Sequence, residues 1–157
     1  LCQQMMGASY YPDSNITGNI FMMCELAKEH GIKVMLSSIT PVDHYMPIPD
    51  IDAGSRIVEI NSQLKAYTEK DKNVTYMDLH TPFADENKGL SDEMSYDGVH
   101  PNVYLYSFME DIVVDTVKKV LKTKKEYYTI PQDEAKVLKQ KEDEQRAERM
   151  KAFRNAR

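Results

Sequence analysis

The strongest constraint on the fold is a unit of helix followed by strand that occurs twice in the chain. Apolar residues recur at three- and four-residue intervals from residue 16 and again after Gly54, as expected for two amphipathic helices. Gly31 ends the first helix, and strands are predicted over 32–39 and 73–79. The first strand is apolar on both faces, which is typical of a parallel sheet covered by helices, so the chain is predicted to be α/β. The predicted inner positions of the two helices are Ile16, Ile20, Met23, Cys24 and Ala27, then Ile57, Ile60, Leu64 and Tyr67.

A third helix is predicted to follow Pro101 and to dock against the sheet through a broad apolar face. That face contains Leu105, Phe108, Met109, Ile112, Val113, Val117, Val120 and Leu121.

The sequence divides into three parts. An α/β domain is predicted over residues 1–122, a linker over 123–132 and a charged helical tail over 133–157. Fourteen of the 25 tail residues are charged, which leaves open a solvated helix packing loosely on the domain or a helix that binds a partner.

The residues with the clearest chemical pattern lie in the stretch 95–102, where Asp97 precedes His100 by three positions. Gly98 permits a sharp turn, and Pro101 suits the first turn of the following helix. A carboxylate that accepts from one imidazole nitrogen leaves the other nitrogen to move protons near neutral pH. The pattern therefore predicts His100 as a general base oriented by Asp97, the alternative being an Asx turn with a surface imidazole.

Residues 96–102, which read Tyr-Asp-Gly-Val-His-Pro-Asn, resemble the last sequence block of the GDSL, or SGNH, family of esterases and acylhydrolases. The likeness extends from about residue 16 to residue 121. It implies a three-layer α/β/α, flavodoxin-like fold with a parallel sheet, represented by its C-terminal part and followed by an extra charged helix. It also implies a Ser-His-Asp triad in which Asp97 is the orienting acid and His100 the general base. The implied substrate is a small-molecule acyl or acetyl ester of a carbohydrate or lipid-like alcohol, with no metal or organic cofactor needed.

The family's nucleophile is not recognisable in this chain. Gly7-Ala8-Ser9 resembles its Gly-Asp-Ser only superficially, because alanine replaces the aspartate and no apolar strand precedes it. We interpret Ser9 as an ordinary turn serine, and neither a Gly-x-Asn-Asp block nor an oxyanion-hole glycine is evident. We therefore expect these 157 residues to show negligible esterase turnover by themselves. Two alternatives are a non-catalytic α/β module whose charged helix binds a protein partner, and a degenerate family member that only binds.

Other polar residues are weaker candidates. The proline-rich loop 40–53, with His44, Tyr45 and Met46, is either a wall of the substrate pocket or merely a long connection. Asp78 and His80 are interpreted as polar loop residues, since no third metal ligand lies at a useful spacing. The remaining two candidates, His30 and Cys24, are expected to be structural.

Composition limits the possible partners. The net charge of -5 argues against a nucleic-acid or anionic-membrane surface, because phosphate binding needs a basic face. No stretch of about eighteen apolar residues or basic, apolar leader is evident, so neither a membrane span nor a signal peptide is expected. Two cysteines form no metal or disulfide framework. If the sheet is incomplete, its open edge is a possible route to self-association.

Overall fold

The computed structural model describes residues 12–43 and 52–155, which form four helices and two strands. In chain order the elements are α1 (Asp13–Glu29), β1 (Val34–Ser37), α2 (Ala53–Glu69), β2 (Val74–Met77), α3 (Val103–Leu121) and α4 (Gln132–Asn155). The strands pair in parallel, with Val34 opposite Val74 and Ser37 opposite Met77. Each strand is shorter than predicted from the sequence, because only four residues of each are paired in the sheet.

The described elements form three layers, as predicted for an α/β/α fold. Helices α1 and α2 pack on one face of the sheet. The strand residues Leu36 and Val74 lie in the same hydrophobic core as the buried side chains of these two helices. Helix α3 packs on the other face, where Met77 and Leu105 lie in a second core. Side chains alternate between the two faces along a strand, so β2 contributes to both cores. Within the described ranges the sheet has two strands, fewer than expected for the complete doubly wound fold that the resemblance implies.

The predicted inner faces of α1 and α2 are largely confirmed, with one error. Ile16, Ile20 and Cys24 recur every four residues and are buried, whereas Met23 is 59% exposed. Met23 is displaced by about 100° around the helix from Cys24, so it lies beyond the stripe that the described sheet covers. The predicted inner positions of α2 that are fully buried are Ile57, Ile60 and Leu64.

The end of α1 follows the sequence prediction. Gly31 adopts the left-handed conformation (φ +68°), and the amide of Ile32 donates to the carbonyl oxygen of Ala27 at 2.9 Å, which satisfies a terminal helix acceptor. Cys24 is buried, and desolvation raises the pKa of its thiol, which suits a packing role.

Helix α4 is not detached from the rest of the described chain. It packs along α3, and Ala135 in its first turn is fully buried. The segment before it is held by a hydrogen bond from the amide of Ile130 to the carboxylate of Glu110 at 2.8 Å. The division into domain, linker and tail stays a prediction, although the packing of α4 matters for the site described below.

Of the helices in the described ranges, none is long and apolar enough to cross a membrane.

Several sequence predictions concern residues outside the described ranges. They are the interpretation of Ser9 as a turn serine, the expectation that Cys2 belongs to no metal or disulfide framework, and the choice between a pocket wall and a long connection for His44, Tyr45 and Met46.

Candidate active site

The position of the Asp97 loop follows from the direction of α3. Near the start of β1, the ammonium group of Lys33 donates to the carbonyl oxygen of Val120, at the end of α3, at 3.0 Å. Helix α3 therefore runs antiparallel to the strands, and its first turn lies where the strands end. A hydrogen bond from the amide of Asp43 to the carbonyl oxygen of Gly98, at 2.9 Å, joins the chain after β1 to the loop. The loop thus lies at the carboxyl edge of the sheet, where open α/β folds bind ligands.

The loop is closed by local hydrogen bonds that the sequence only partly suggested. Ser95 and Pro101 form an antiparallel bridge, and the buried hydroxyl of Ser95 donates to the carbonyl oxygen of His100 at 2.8 Å. Gly98 takes the positive φ of +74° that the turn requires. The side chain of Asn102 caps α3 by accepting from the amide of Leu105 at 3.0 Å and donates to the carbonyl oxygen of Glu93 at 2.7 Å.

Asp97 and His100 make the contact that their spacing predicts. One carboxylate oxygen of Asp97 accepts from the amides of Val99 (3.0 Å) and His100 (2.8 Å). The other oxygen lies 2.7 Å from Nδ1 of the His100 ring. Partial burial alone would raise the pKa of the Asp97 carboxyl, but the hydrogen bonds from the His100 amide, the His100 ring and the Val99 amide together hold that pKa well below its usual range.

The chemical consequence is a histidine with a fixed tautomer. Because Asp97 remains ionised, the proton of a neutral His100 ring is assigned to Nδ1, which leaves Nε2 as an acceptor. The side chain of His100 is 82% exposed, whereas that of Asp97 is 49% exposed. The arrangement can therefore accept a proton from a group that approaches the outer side of the ring.

No hydroxyl group among the described residues donates to the His100 ring. Ser95 is the nearest serine in sequence, but it is 3% exposed and its hydroxyl donates to a backbone carbonyl oxygen. Ser95 therefore stabilises the loop rather than acting as a nucleophile. A serine two positions before the aspartate was a signal that sequence reasoning passed over, as was Asn102 directly before the helix.

A cavity of about 380 Å³ opens beside this pair. The loop and α3 supply one side of it, and α4 supplies the other through Glu142 and Arg146. Sequence reasoning did not predict that residues of the charged tail would line the same cavity as His100. Among the residues that the structure describes, no group of three potential metal ligands is present.

Asp78 and His80 form a turn at the end of β2. The Asp78 carboxylate accepts from the amides of His80 (3.0 Å) and Thr81 (2.9 Å), which agrees with the interpretation as loop residues. His80 is only 8% exposed, and its Nε2 has no hydrogen-bond partner within the described part of the chain. Desolvation by burial lowers the pKa of His80, so the folded protein favours the neutral ring.

The burial of His80 predicts a pH-dependent stability. With its pKa lowered, the folded chain binds fewer protons than the unfolded chain as the pH falls below about 6.5, so the free energy of unfolding should decrease on acidification. This contribution is complete above pH 6.5 and is lost as the pH falls toward the folded pKa. Urea unfolding of wild type and His80→Gln at pH 7.5 and 5.5 should show a smaller pH difference in the variant. His30 is exposed, so His30→Gln serves as the control and should keep the pH difference of wild type. A pH difference in His80→Gln equal to that of wild type would refute the prediction.

The fold and the site together define a class: an α/β protein with a parallel sheet, whose carboxyl edge carries an imidazole oriented by an aspartate. That constellation is used by hydrolases that employ a Ser-His-Asp triad.

Solved structures similar to this chain agree with the resemblance carried by residues 96–102. A protein from Bacteroides fragilis assigned as an acylhydrolase is 33% identical, with a TM-score of 0.70 over 74% of this chain and 57% of that one. A GDSL-like lipase from Bacteroides thetaiotaomicron is 32% identical, with a TM-score of 0.68 over 73% of this chain and 56% of that one. A protein from Streptococcus pneumoniae assigned as a platelet activating factor, 17% identical with a TM-score of 0.62, shares the fold over 74% of this chain and 56% of its own. Neither a protein-family model nor a curated protein matches the sequence.

The chain therefore resembles the GDSL, or SGNH, family, and its structure is consistent with a part of that family's domain. It spans little more than half the length of the solved structures it matches.

Proposed function

We propose that this chain is the C-terminal part of a GDSL/SGNH-type serine esterase and supplies the histidine and aspartate of its Ser-His-Asp triad. The observation that carries the proposal is the 2.7 Å contact between Nδ1 of His100 and the Asp97 carboxylate, on an imidazole that is 82% exposed at the carboxyl edge of the sheet. The similarity to proteins assigned as an acylhydrolase and a GDSL-like lipase supports an acyl-ester substrate. An acyl or acetyl ester of a carbohydrate or lipid-like alcohol is the substrate class proposed.

The proposed mechanism gives each residue one role. Nε2 of His100 takes the proton of a serine hydroxyl while the serine oxygen attacks the ester carbonyl, and it then gives that proton to the leaving alcohol. The resulting acyl-serine is hydrolysed by a water molecule that His100 deprotonates in turn, and His100 returns that proton to the serine oxygen as the acid leaves. Asp97 stabilises the imidazolium formed at each stage, because its lowered pKa keeps it ionised. We propose that the serine and the oxyanion-hole donors belong to the family's upstream blocks and are not in this chain.

The division of the triad predicts different activities for this chain and for a longer one. A full-length protein that carries this segment after the family's Gly-Asp-Ser and Gly-x-Asn-Asp blocks is expected to hydrolyse p-nitrophenyl acetate. The 157-residue chain is expected to release nitrophenol no faster than buffer does, since it lacks the nucleophile and oxyanion donors. Turnover by the 157-residue chain that His100→Ala abolishes would place the nucleophile within these residues and contradict the proposal.

A further inference from the structure

Helix α4 forms a wall of the cavity that contains the candidate pair. The cavity is lined by Asp97 and His100 from the loop and by Glu142 and Arg146 from α4. A second cavity, of about 320 Å³, adjoins the first because both include Tyr96, Glu142 and Arg146, and Arg149 lines the second one. The surface beside His100 therefore continues along α4 for nearly one further helical turn, from Arg146 to Arg149.

The contact between α4 and the loop is made through Tyr96, which directly precedes Asp97. The guanidinium carbon of Arg146 lies 4.8 Å from the centre of the Tyr96 ring, a cation–π contact. The Tyr96 hydroxyl donates to the carboxylate of Glu142 at 3.2 Å, and the ammonium group of Lys139 lies 5.6 Å from the same ring. Arg146 is therefore held against the residue adjacent to the candidate orienting acid.

The charged side chains that line these cavities differ in how many hydrogen-bond or ion-pair partners they have. The Asp97 carboxylate is bonded to two backbone amides and an imidazole, and that of Glu142 accepts from Tyr96. Lys139 is paired with Asp143 at 2.8 Å. Arg146 and Arg149 line the cavities. Arg146 acts on Asp143 at longer range and helps to lower the pKa of its carboxyl, but within the described ranges neither arginine is paired with a carboxylate at salt-bridge distance, so each guanidinium can take a further acceptor.

We propose that Arg146, supported by Arg149, binds an anionic group on the ester substrate, so that the site prefers esters carrying a carboxylate or a phosphate. A guanidinium group held over an aromatic ring keeps its planar fork of N–H donors for bidentate bonding to either anion. This inference rests on the proposed function, since it assigns the substrate class of the same cavity. It makes α4, which lies beyond the stretch resembling the family, a determinant of specificity.

Binding can be tested on the 157-residue chain without any turnover. Monomethyl succinate, an ester with one carboxylate, and its neutral analogue dimethyl succinate are titrated at constant ionic strength while NMR follows the Arg146 Nε–Hε and His100 ring signals. Monomethyl succinate is expected to shift both signals along a saturable curve, and dimethyl succinate to leave the Arg146 signal unmoved. Methyl phosphate, titrated separately, distinguishes a carboxylate site from a phosphate site.

The decisive comparison uses two arginines of the same helix. Arg146→Gln should weaken binding of monomethyl succinate by about fivefold or more, whereas Arg154→Gln, an equal charge change at an exposed position near the end of α4, should leave it unchanged. Arg146→Lys should retain part of the affinity, because it keeps the charge but not the bidentate geometry. Equal affinities in Arg146→Gln and Arg154→Gln would overturn the inference. A different result would contradict the proposed function itself, namely full esterase activity of a full-length protein that carries His100→Ala.

Discussion

Replacing His100 with alanine is expected to lower ester turnover by more than about a hundredfold in a full-length protein that carries this segment. The imidazole is the group placed to take the serine proton, with Nδ1 bonded to Asp97 at 2.7 Å and the ring exposed at the carboxyl edge of the sheet. Its loss removes both the general base and the acid that protonates the leaving alcohol. The kcat for p-nitrophenyl acetate is the quantity to measure.

The control for this substitution is His30→Ala. His30 is exposed at the end of α1, just before the start of β1 and thus at the opposite edge of the sheet, so its replacement should leave kcat unchanged. Circular dichroism of both variants should match wild type, because the His100 side chain is exposed and its removal opens no cavity in the core. A folded His100→Ala variant with wild-type turnover would remove His100 from the mechanism.

Leu105→Ala is expected to lower the free energy of unfolding by about 2–5 kcal/mol. Leu105 is fully buried in the core between β2 and α3, and its amide donates to the capping side chain of Asn102. Truncation leaves a cavity at the first turn of α3, directly behind the Asp97 loop. Urea or thermal unfolding of the chain provides the measurement, and we expect the loop resonances to broaden as well.

The matched control is Leu121→Ala, the same substitution at the other end of the same helix. Leu121 is 56% exposed, so its truncation should cost less than about 1 kcal/mol. The sequence pattern placed both leucines on one docking face, and Leu121 is a position where that prediction is wrong. It is the last residue of α3, and the next residue, Lys122, is already in the left-handed conformation. Equal losses from the two substitutions would contradict the packing of α3 described here.

The packing of α4 changes the interpretation of the charged tail. As a sequence it shows only a broken apolar stripe, which predicted either a solvated helix packing loosely on the domain or a helix that binds a partner. In the structure its first turn is anchored by the buried Ala135, and its charged residues surround the Tyr96 ring. A helix with little apolar surface can therefore dock through a few residues, here the buried Ala135, the partly buried Leu138 and the cation–π contacts with Tyr96.

Features that depend on neighbours in sequence could be predicted from the chain alone. The helical periodicity of α1 and α2, the glycine end of α1 and the contact between Asp97 and His100 all arise within a few residues. A three-residue spacing across a glycine turn allows a carboxylate and an imidazole to meet within one loop. The resemblance to the family was carried by the same short motif.

Features that depend on distant segments were decided only by the tertiary structure. The exposure of Met23 depends on where the sheet ends, and the burial of His80 on the layers packed around the end of β2. The approach of Arg146 to the cavity of His100 joins residues 46 positions apart and needs the docking of α4 on Tyr96. Such contacts are set by the packing of whole elements, which local periodicity and turn chemistry do not encode.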